Sequence, residues 1–318
     1  MATVSVCMIV KNEENVLERC LESLKELADE LIVVDTGSTD GTKAIAAKYT
    51  DKVYDFAWID DFAAARNFAF SKATCDYIYS ADADEVLDIQ NIARFKALKR
   101  DLDETGYEMV QFWYCNQLEH NTTYNFDKEL RPKLYKRVRT FEWVDPVHET
   151  VRMEPTVFDS NIEIIHKPEK PHGTRDFAIF EKVIAKGESL SKHLRGMYAR
   201  ELMISGTARD FAAARPYFEI LADVPEIDQE ELIDTFCVLA KAAQLANDTD
   251  SFFAVVLKVF VLPDPPSEIC CMLGEHYEKL GNRQEALLWF TNALYETKPV
   301  LALEYGGERA KAGIERNS

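Results

Sequence analysis

The stretch that decides the fold is Asp76-Tyr77-Ile78-Tyr79-Ser80, followed after Ala81 by Asp82-Ala83-Asp84-Glu85. An apolar run of this length reads as a strand buried on both faces, and carboxylates stand where it ends. In an open α/β sheet that carboxyl edge is where ligands bind. Taken as extended chain, positions 82 and 84 point the same way and form a hard-oxygen site for Mg²⁺ or Mn²⁺. The competing reading makes the acidic residues a cap for a helix from Val86 onward.

Working outward, Val4–Val10 is a second apolar run, and Leu17, Cys20, Leu21 and Leu24 follow at helical spacing with Asn12 or Asn15 as the cap. Leu31–Val34 is a further strand and ends at Asp35. Turn-rich Thr36–Thr42 leads to a helix near Lys43–Tyr49, then a brief strand at Lys52–Tyr54 and an alanine-rich helix at Phe62–Ala73. Repeated β-loop-α units of this length predict a mostly parallel sheet with helices on both faces. Met109–Cys115, Leu130–Tyr135 and Ile162–His166 read as later strands. The first two flank a polar loop with Asn116, Asn121 and Asn125.

Asp35 occupies the ligand edge, where its carboxylate could accept a uracil imide N–H or a ribose hydroxyl. It could equally be a turn former with Ser38, Thr39, Asp40 and Gly41. Neither GxGxxG nor a Walker loop occurs, which disfavours dinucleotide and P-loop chemistry.

Pro168, Pro171 and Gly173 mark a break, giving domains at 1–172 and 173–318. Beyond it the pattern is helical and repeats. Leu273, Gly274, Tyr277, Gly281, Ala286, Phe290 and Ala293 fall at tetratricopeptide spacing. Phe236, Leu239, Ala240, Ala243, Phe252, Val256 and Val259 share that register, as do Tyr198, Ala214 and Phe218, with Val224–Asp228 as an insertion.

The chain has 318 residues, enough for two domains, and carries 37 basic against 55 acidic side chains, a formal charge of −18. Such a surface repels polyphosphate and argues against nucleic acid as a partner. A phosphorylated substrate would therefore need a cation between itself and the carboxylates. No run spans a bilayer, and Ala2–Val10 lacks a basic leader, so it reads as a strand rather than a signal peptide. Seven cysteines without framework spacing fit reduced thiols and a cytoplasmic location; no CxxC pair suggests zinc.

Four motifs stand in order: Val6-Cys7-Met8-Ile9-Val10-Lys11-Asn12-Glu13-Glu14, Val33-Val34-Asp35-Thr36-Gly37-Ser38-Thr39-Asp40-Gly41-Thr42, Ala65-Arg66-Asn67 and Asp82-Ala83-Asp84-Glu85. Together they resemble family-2 glycosyltransferases of the GT-A fold, closest to the branch fused to tetratricopeptide repeats that includes bacterial peptide S-glycosyltransferases. The likeness continues through Arg131, Val147-His148-Glu149 and His166. The resemblance implies an α/β GT-A nucleotide-diphospho-sugar transferase domain followed by an all-α repeat domain.

It also implies roles. Val10, Asn12, Asp35, Arg66, Asp82, Ala83 and Asp84 would bind the nucleotide sugar, with Arg66 pairing to Asp35 or Asp82. Asp82, Asp84 and His166 would hold Mn²⁺ or Mg²⁺, with His172 as the alternative histidine. Glu149, or else Asp145, would be the general base of an inverting transfer from a UDP-sugar to a peptide, protein or glycan. Trp143 and Trp113 would stack on a sugar or pack the core. The repeats would recognise polypeptide or form a homodimer. A nucleotidyltransferase would need a basic glycine-rich loop where Lys11-Asn12-Glu13-Glu14 stands. A protein-binding scaffold with an inactive nucleotide-sugar domain would have lost Asp82 and Asp84.

Overall fold

The computed structural model describes residues 1–115, 128–151, 155–167, 173–225 and 227–318. Asn116, Asn121, Asn125, Pro168, Pro171 and His172 lie outside them. The chain divides into two compact units, Met1–Pro171 and His172–Ser318.

The first unit runs β1 (Val4–Val10), α1 (Leu17–Leu24), β2 (Glu30–Asp35), α2 (Thr42–Ala46), β3 (Val53–Asp55), α3 (Phe62–Ser71), β4 (Tyr77–Ala81), β5 (Glu85–Val86), α4 (Ile89–Thr105), β6 (Met109–Cys115), β7 (Glu129–Lys136), β8 (Trp143–Val144), β9 (Thr150–Val151) and β10 (Val157–His166). Eight strands form one sheet in the order β3-β2-β1-β4-β7-β6-β10-β5, and β8 pairs with β9 separately. The sheet is mixed rather than mostly parallel. Its β3-β2-β1-β4 half and the β6-β10 pair are parallel, whereas β7 runs antiparallel to β4 and β6, and β5 to β10.

Alternation along the strands feeds two apolar layers. Val4, Val6, Met8 and Val10 of β1 join Leu17, Leu21 and Leu24 of α1 and Phe95, Leu98 and Leu102 of α4. On the opposite face, Cys7, Ile32, Val34 and Ile78 meet Ala63, Ala69 and Phe70 of α3.

Three local expectations change. Helix α1 begins after Val16 with no side-chain cap, and the Asn12 side-chain Oδ1 instead accepts the Thr39 N–H (2.8 Å). The helix expected from Val86 begins at Ile89, capped by Asp88, whose carboxylate accepts the Asn91 N–H (2.8 Å). Residues 82–85 are a turn, closed by the Glu85 N–H to the Asp82 carbonyl (3.2 Å), rather than extended chain.

The second unit consists of α5 (Gly173–Ala185), α6 (Lys192–Ser205), α7 (Ala208–Ala222), α8 (Gln229–Leu245), α9 (Thr249–Phe260), α10 (Ser267–Lys279), α11 (Arg283–Thr291) and α12 (Glu308–Asn317), with short helical turns between α11 and α12. Helix α8 packs against its hairpin partner α9 and also against α6 and α10, and α10 packs against α11 and α12. This stacking of every second helix is what a tetratricopeptide register demands. The 34-residue period reappears in chemistry, with Glu275 bridging Lys241 (3.6 Å) and Arg309 (2.5 Å). Phe290 is wholly buried, and two glycines admit it. A β-carbon on Gly274 would lie 2.8 Å from its ring, and one on Gly313 2.5 Å.

Gly274→Ala and Gly313→Ala should therefore each cost about 1–3 kcal/mol by overpacking. Urea unfolding should show the loss, and Phe290→Leu should recover part of it.

A second prediction concerns pH. Glu30, buried at the start of β2, accepts hydrogen bonds from Ser5 Oγ, Lys52 Nζ (2.5 Å), Thr74 N (2.8 Å) and Thr74 Oγ1 (2.9 Å). Burial alone would raise its carboxyl, but the lysine and the hydroxyl and amide donors outweigh it and hold it at about 2, against an ordinary 4.5. The stability it contributes is complete above about pH 4.5 and is lost as pH falls toward 2. Urea midpoints measured from pH 6 to 3 should fall less steeply in Glu30→Gln than in the wild type.

Candidate active site

Strands β1, β2 and β4 are parallel neighbours, so Val10, Asp35 and Asp82 come out at the same sheet edge. The first two loops there are tied together. The Val10 carbonyl accepts from Thr36 N (2.9 Å) and Thr36 Oγ1 (3.1 Å), and Ser38 Oγ accepts the Asn12 N–H (2.9 Å). Asp35 is the turn former that one reading of the sequence allowed. Its Oδ1 accepts the N–H groups of Gly37 (3.0 Å) and Ser38 (2.9 Å), forming the turn that Gly37 enters at φ 104°. Its Oδ2 is buried and has no hydrogen-bond partner. Burying a carboxylate oxygen without a donor is costly, so this atom marks a place for one.

Asp82 lies at the centre of a buried charge cluster. Arg66 Nη2 donates to its Oδ1 (2.8 Å) and Lys133 Nζ to its Oδ2 (3.0 Å). Lys133 also bonds Glu85 Oε1, and Glu85 Oε2 accepts the Asp82 N–H (3.2 Å). Arg66 extends the cluster through Nη1 to Ser80 Oγ (3.1 Å) and through Nε to Glu149 Oε1 (2.5 Å). Of the two partners the sequence allowed for Arg66, the structure has Asp82.

Burial would raise the Asp82 carboxyl, but Arg66 and Lys133 outweigh it and hold it well below the usual range. The deeper Glu85 is pushed up, to about 8, by burial and by the neighbouring Asp82 and Asp84, with Lys133 opposing. Burial would lower Lys133, but Asp82 and Glu85 outweigh it and hold the lysine above its ordinary value.

Asp84 turns elsewhere. The two-residue strand β5 pairs antiparallel with the end of β10, setting His166 opposite Glu85, and the Lys167 N–H donates to the Asp84 carbonyl (2.9 Å). His166 Nε2 therefore lies 3.2 Å from Asp84 Oδ2. Ala83, between the two aspartates, is buried. The ligand atoms of Asp82, Asp84 and His166 do not all lie within 4.8 Å of one another.

The Ala65-Arg66-Asn67 motif explains how Glu149 arrives. Asn67 exchanges hydrogen bonds with the Trp143 backbone (2.9 and 2.8 Å), and the Phe62 N–H donates to the Pro146 carbonyl (2.9 Å). Helix α3 thus fixes the β8–β9 hairpin, in which Glu149 immediately precedes β9. Asp145 lies in the same hairpin turn at φ 73°. Trp143 is core: it meets Phe70 and Tyr135 edge-on, and the Arg66 guanidinium covers its ring at 5.1 Å. Trp113 is half-buried beneath Lys128 Nζ, 5.1 Å from the ring centre.

Sequence reasoning missed Lys133, Ser80 and the part played by Glu85. The available signal was a lysine flanked by Pro132, Leu134 and Tyr135 in a strand otherwise destined for the core.

Residues 5–153 match the profile described as Glycosyl transferase family 2. A TPR repeat-containing protein of Synechococcus elongatus is 49% identical over 104 residues, covering 33% of this chain and 25% of its own. The SPbeta prophage-derived glycosyltransferase SunS of Bacillus subtilis is 34% identical over 117 residues, covering 36% and 28%. The chain thus spans about a quarter of the length of these relatives. Among solved structures, glucosyl-3-phosphoglycerate synthase from Mycobacterium tuberculosis, crystallised with Mn²⁺, uridine-diphosphate and phosphoglyceric acid, superposes with a TM-score of 0.45 at 18% identity, covering 60% of this chain and 80% of its own. With the family profile and the motif order in agreement, residues 5–153 of the first unit carry a glycosyltransferase family 2 domain, and a helical repeat region follows it in the chain.

Proposed function

We propose that this protein is an inverting glycosyltransferase that moves a hexose or N-acetylhexosamine from a UDP-sugar to a peptide, protein or glycan. The observation that carries the reading is the buried, unpartnered Oδ2 of Asp35, at the same sheet edge as the Asp84–His166 pair. A uracil imide N–H or a ribose hydroxyl supplies the donor that this oxygen lacks.

The residues present fit a divalent cation. Asp84 Oδ2 and His166 Nε2 lie 3.2 Å apart, and Mn²⁺ accepts an imidazole beside a carboxylate more readily than Mg²⁺, which keeps an all-oxygen shell. When bound, the cation offsets the charge growing on the departing diphosphate. It also resolves the repulsion between that diphosphate and a chain of net charge −18.

The chain's own groups do the remaining work. Asp35 holds the base, with the Val10–Asn12 backbone beside it. Glu149 takes the acceptor's proton, and Arg66, hydrogen-bonded to its Oε1, orients it. The stacked helical hairpins present a surface suited to a polypeptide acceptor or to a second copy. Cysteines that form no disulfide among the described residues suit the reducing cytoplasm, and among those residues no helix is long and apolar enough to cross a membrane.

Incubated with Mn²⁺ and a panel of UDP-sugars, the protein should hydrolyse one donor slowly. Asp84→Ala should abolish that release of UDP. Activity of Asp84→Ala equal to wild type would contradict the reading. Asp35→Asn, which keeps an oxygen for the Gly37 and Ser38 N–H groups but not the second acceptor, should weaken UDP binding at least about tenfold, the equivalent of one charged hydrogen bond, with thermal unfolding little changed. Unaltered UDP affinity in that variant would remove Asp35 from the base pocket.

A further inference from the structure

We propose that Asn67 is a positioning residue for the transfer: its amide stands in for a neighbouring strand beside Trp143 and so holds Glu149 where it can take the acceptor's proton. The inference rests on the transferase reading above and adds a residue that acts through its general base.

Glu149 sits in a hairpin that does not hold its shape unaided. Strands β8 and β9 have two residues each and form a sheet of their own, with Trp143 opposite Val151 and Val144 opposite Thr150. A two-stranded hairpin is marginal in water even when longer. The connection, residues 145–149, also contains two non-glycine residues with left-handed backbone, Asp145 at φ 73° and His148 at φ 47°. Such conformations persist only where the surroundings impose them. His148 immediately precedes Glu149, so the backbone that aims the carboxylate is itself held from outside.

Helix α3 imposes the shape at three points. The Phe62 N–H reaches the Pro146 carbonyl (2.9 Å), Arg66 Nε reaches Glu149 Oε1 (2.5 Å), and Asn67 binds the Trp143 backbone. Arg66 divides its guanidinium, since its other two nitrogens serve Ser80 and Asp82. Asn67 commits both ends of its amide to one residue. Its Nδ2 donates to the Trp143 carbonyl (2.9 Å) and its Oδ1 accepts the Trp143 N–H (2.8 Å), the exchange a peptide group of an antiparallel strand would make. The bonds that shape the Asp35 loop run instead among Val10, Asn12, Thr36, Gly37 and Ser38. Loss of the Asn67 amide therefore loosens the hairpin and slows turnover while UDP binding is kept.

The test reads the hairpin and the reaction separately in the full chain. Hydrogen exchange over residues 143–151 follows the hairpin, and calorimetry with UDP follows the donor site. Release of UDP from UDP-glucose, UDP-galactose and UDP-N-acetylglucosamine, with Mn²⁺ present and water as the acceptor, follows turnover. In Asn67→Ala, exchange over 143–151 should rise at least about tenfold, as expected for two lost hydrogen bonds. Its kcat should fall at least about tenfold, with KM and UDP affinity within about twofold of wild type. Asn67→Asp, which keeps an oxygen for the Trp143 N–H, should fall between the two. Asn67→Ala combined with Glu149→Gln should be no slower than Glu149→Gln alone, because the amide acts through that carboxylate.

Wild-type kcat in a folded Asn67→Ala protein overturns the proposal, as does unchanged exchange over 143–151 or a loss of UDP affinity as large as the loss of kcat. So does a double variant slowed by the product of the two single effects. If circular dichroism shows Asn67→Ala unfolded, Asn67→Asp decides by the same readings. A wild type that turns over, matched by a folded Asn67→Ala, removes this proposal alone. A wild type that neither binds UDP nor releases it from any of the three donors removes the transferase reading, and the positioning role with it.

Discussion

The active edge depends on one constraint: Asp82 is a part-buried anion held between two nearly enclosed cations, Arg66 of α3 and Lys133 of β7. A carboxylate taken out of water costs several kcal/mol unless it is paired and hydrogen-bonded, and one left unpaired is strongly destabilising. Arg66 and Lys133 meet that demand together. Because Arg66 also holds Glu149, and Lys133 also holds Glu85, the same interaction joins α3, β4, β7 and the β8–β9 hairpin.

The rest of the edge is assembled by backbone pairing. Parallel β1, β2 and β4 bring out the first two loops and the acidic turn side by side. Antiparallel β7 then delivers Lys133 to the end of β4, because Leu134 and Tyr135 register against Tyr79 and Ile78. The two residues of β5 do the same for His166. The mixed sheet is thus the means by which residues far apart in sequence reach one turn; an all-parallel sheet would leave the long return strands elsewhere.

How much of this was legible varies with the range of the interaction. Short apolar runs ending in Asp35 and Asp82 announced β1, β2 and β4, since burial on both faces leaves a continuous hydrophobic signature. The repeat register was equally visible, and Gly274 within it is small because the Phe290 ring lies against it. Gly313, which admits the same ring, was not, because it lies 23 positions downstream of Phe290 in a helix of its own. The strands β5, β8 and β9, two residues each, carry no periodicity to read. Lys133 stood out only as a lysine in a core strand; its partners lie 51 and 48 residues away, and only the sheet order makes them neighbours. The assumption that Asp82 and Asp84 point together failed for a local reason: the Glu85 N–H closes a turn on the Asp82 carbonyl and sends the two side chains to different partners.

The central claim is that this edge receives a uridine diphosphate through a divalent ion. Isothermal titration calorimetry of the full chain with UDP, with and without Mn²⁺, tests it most directly. The account predicts saturable one-to-one binding with Mn²⁺, strongly reduced without it, and weaker binding of ADP and GDP under the same conditions. UDP heats indistinguishable from dilution in the presence of Mn²⁺ would contradict it.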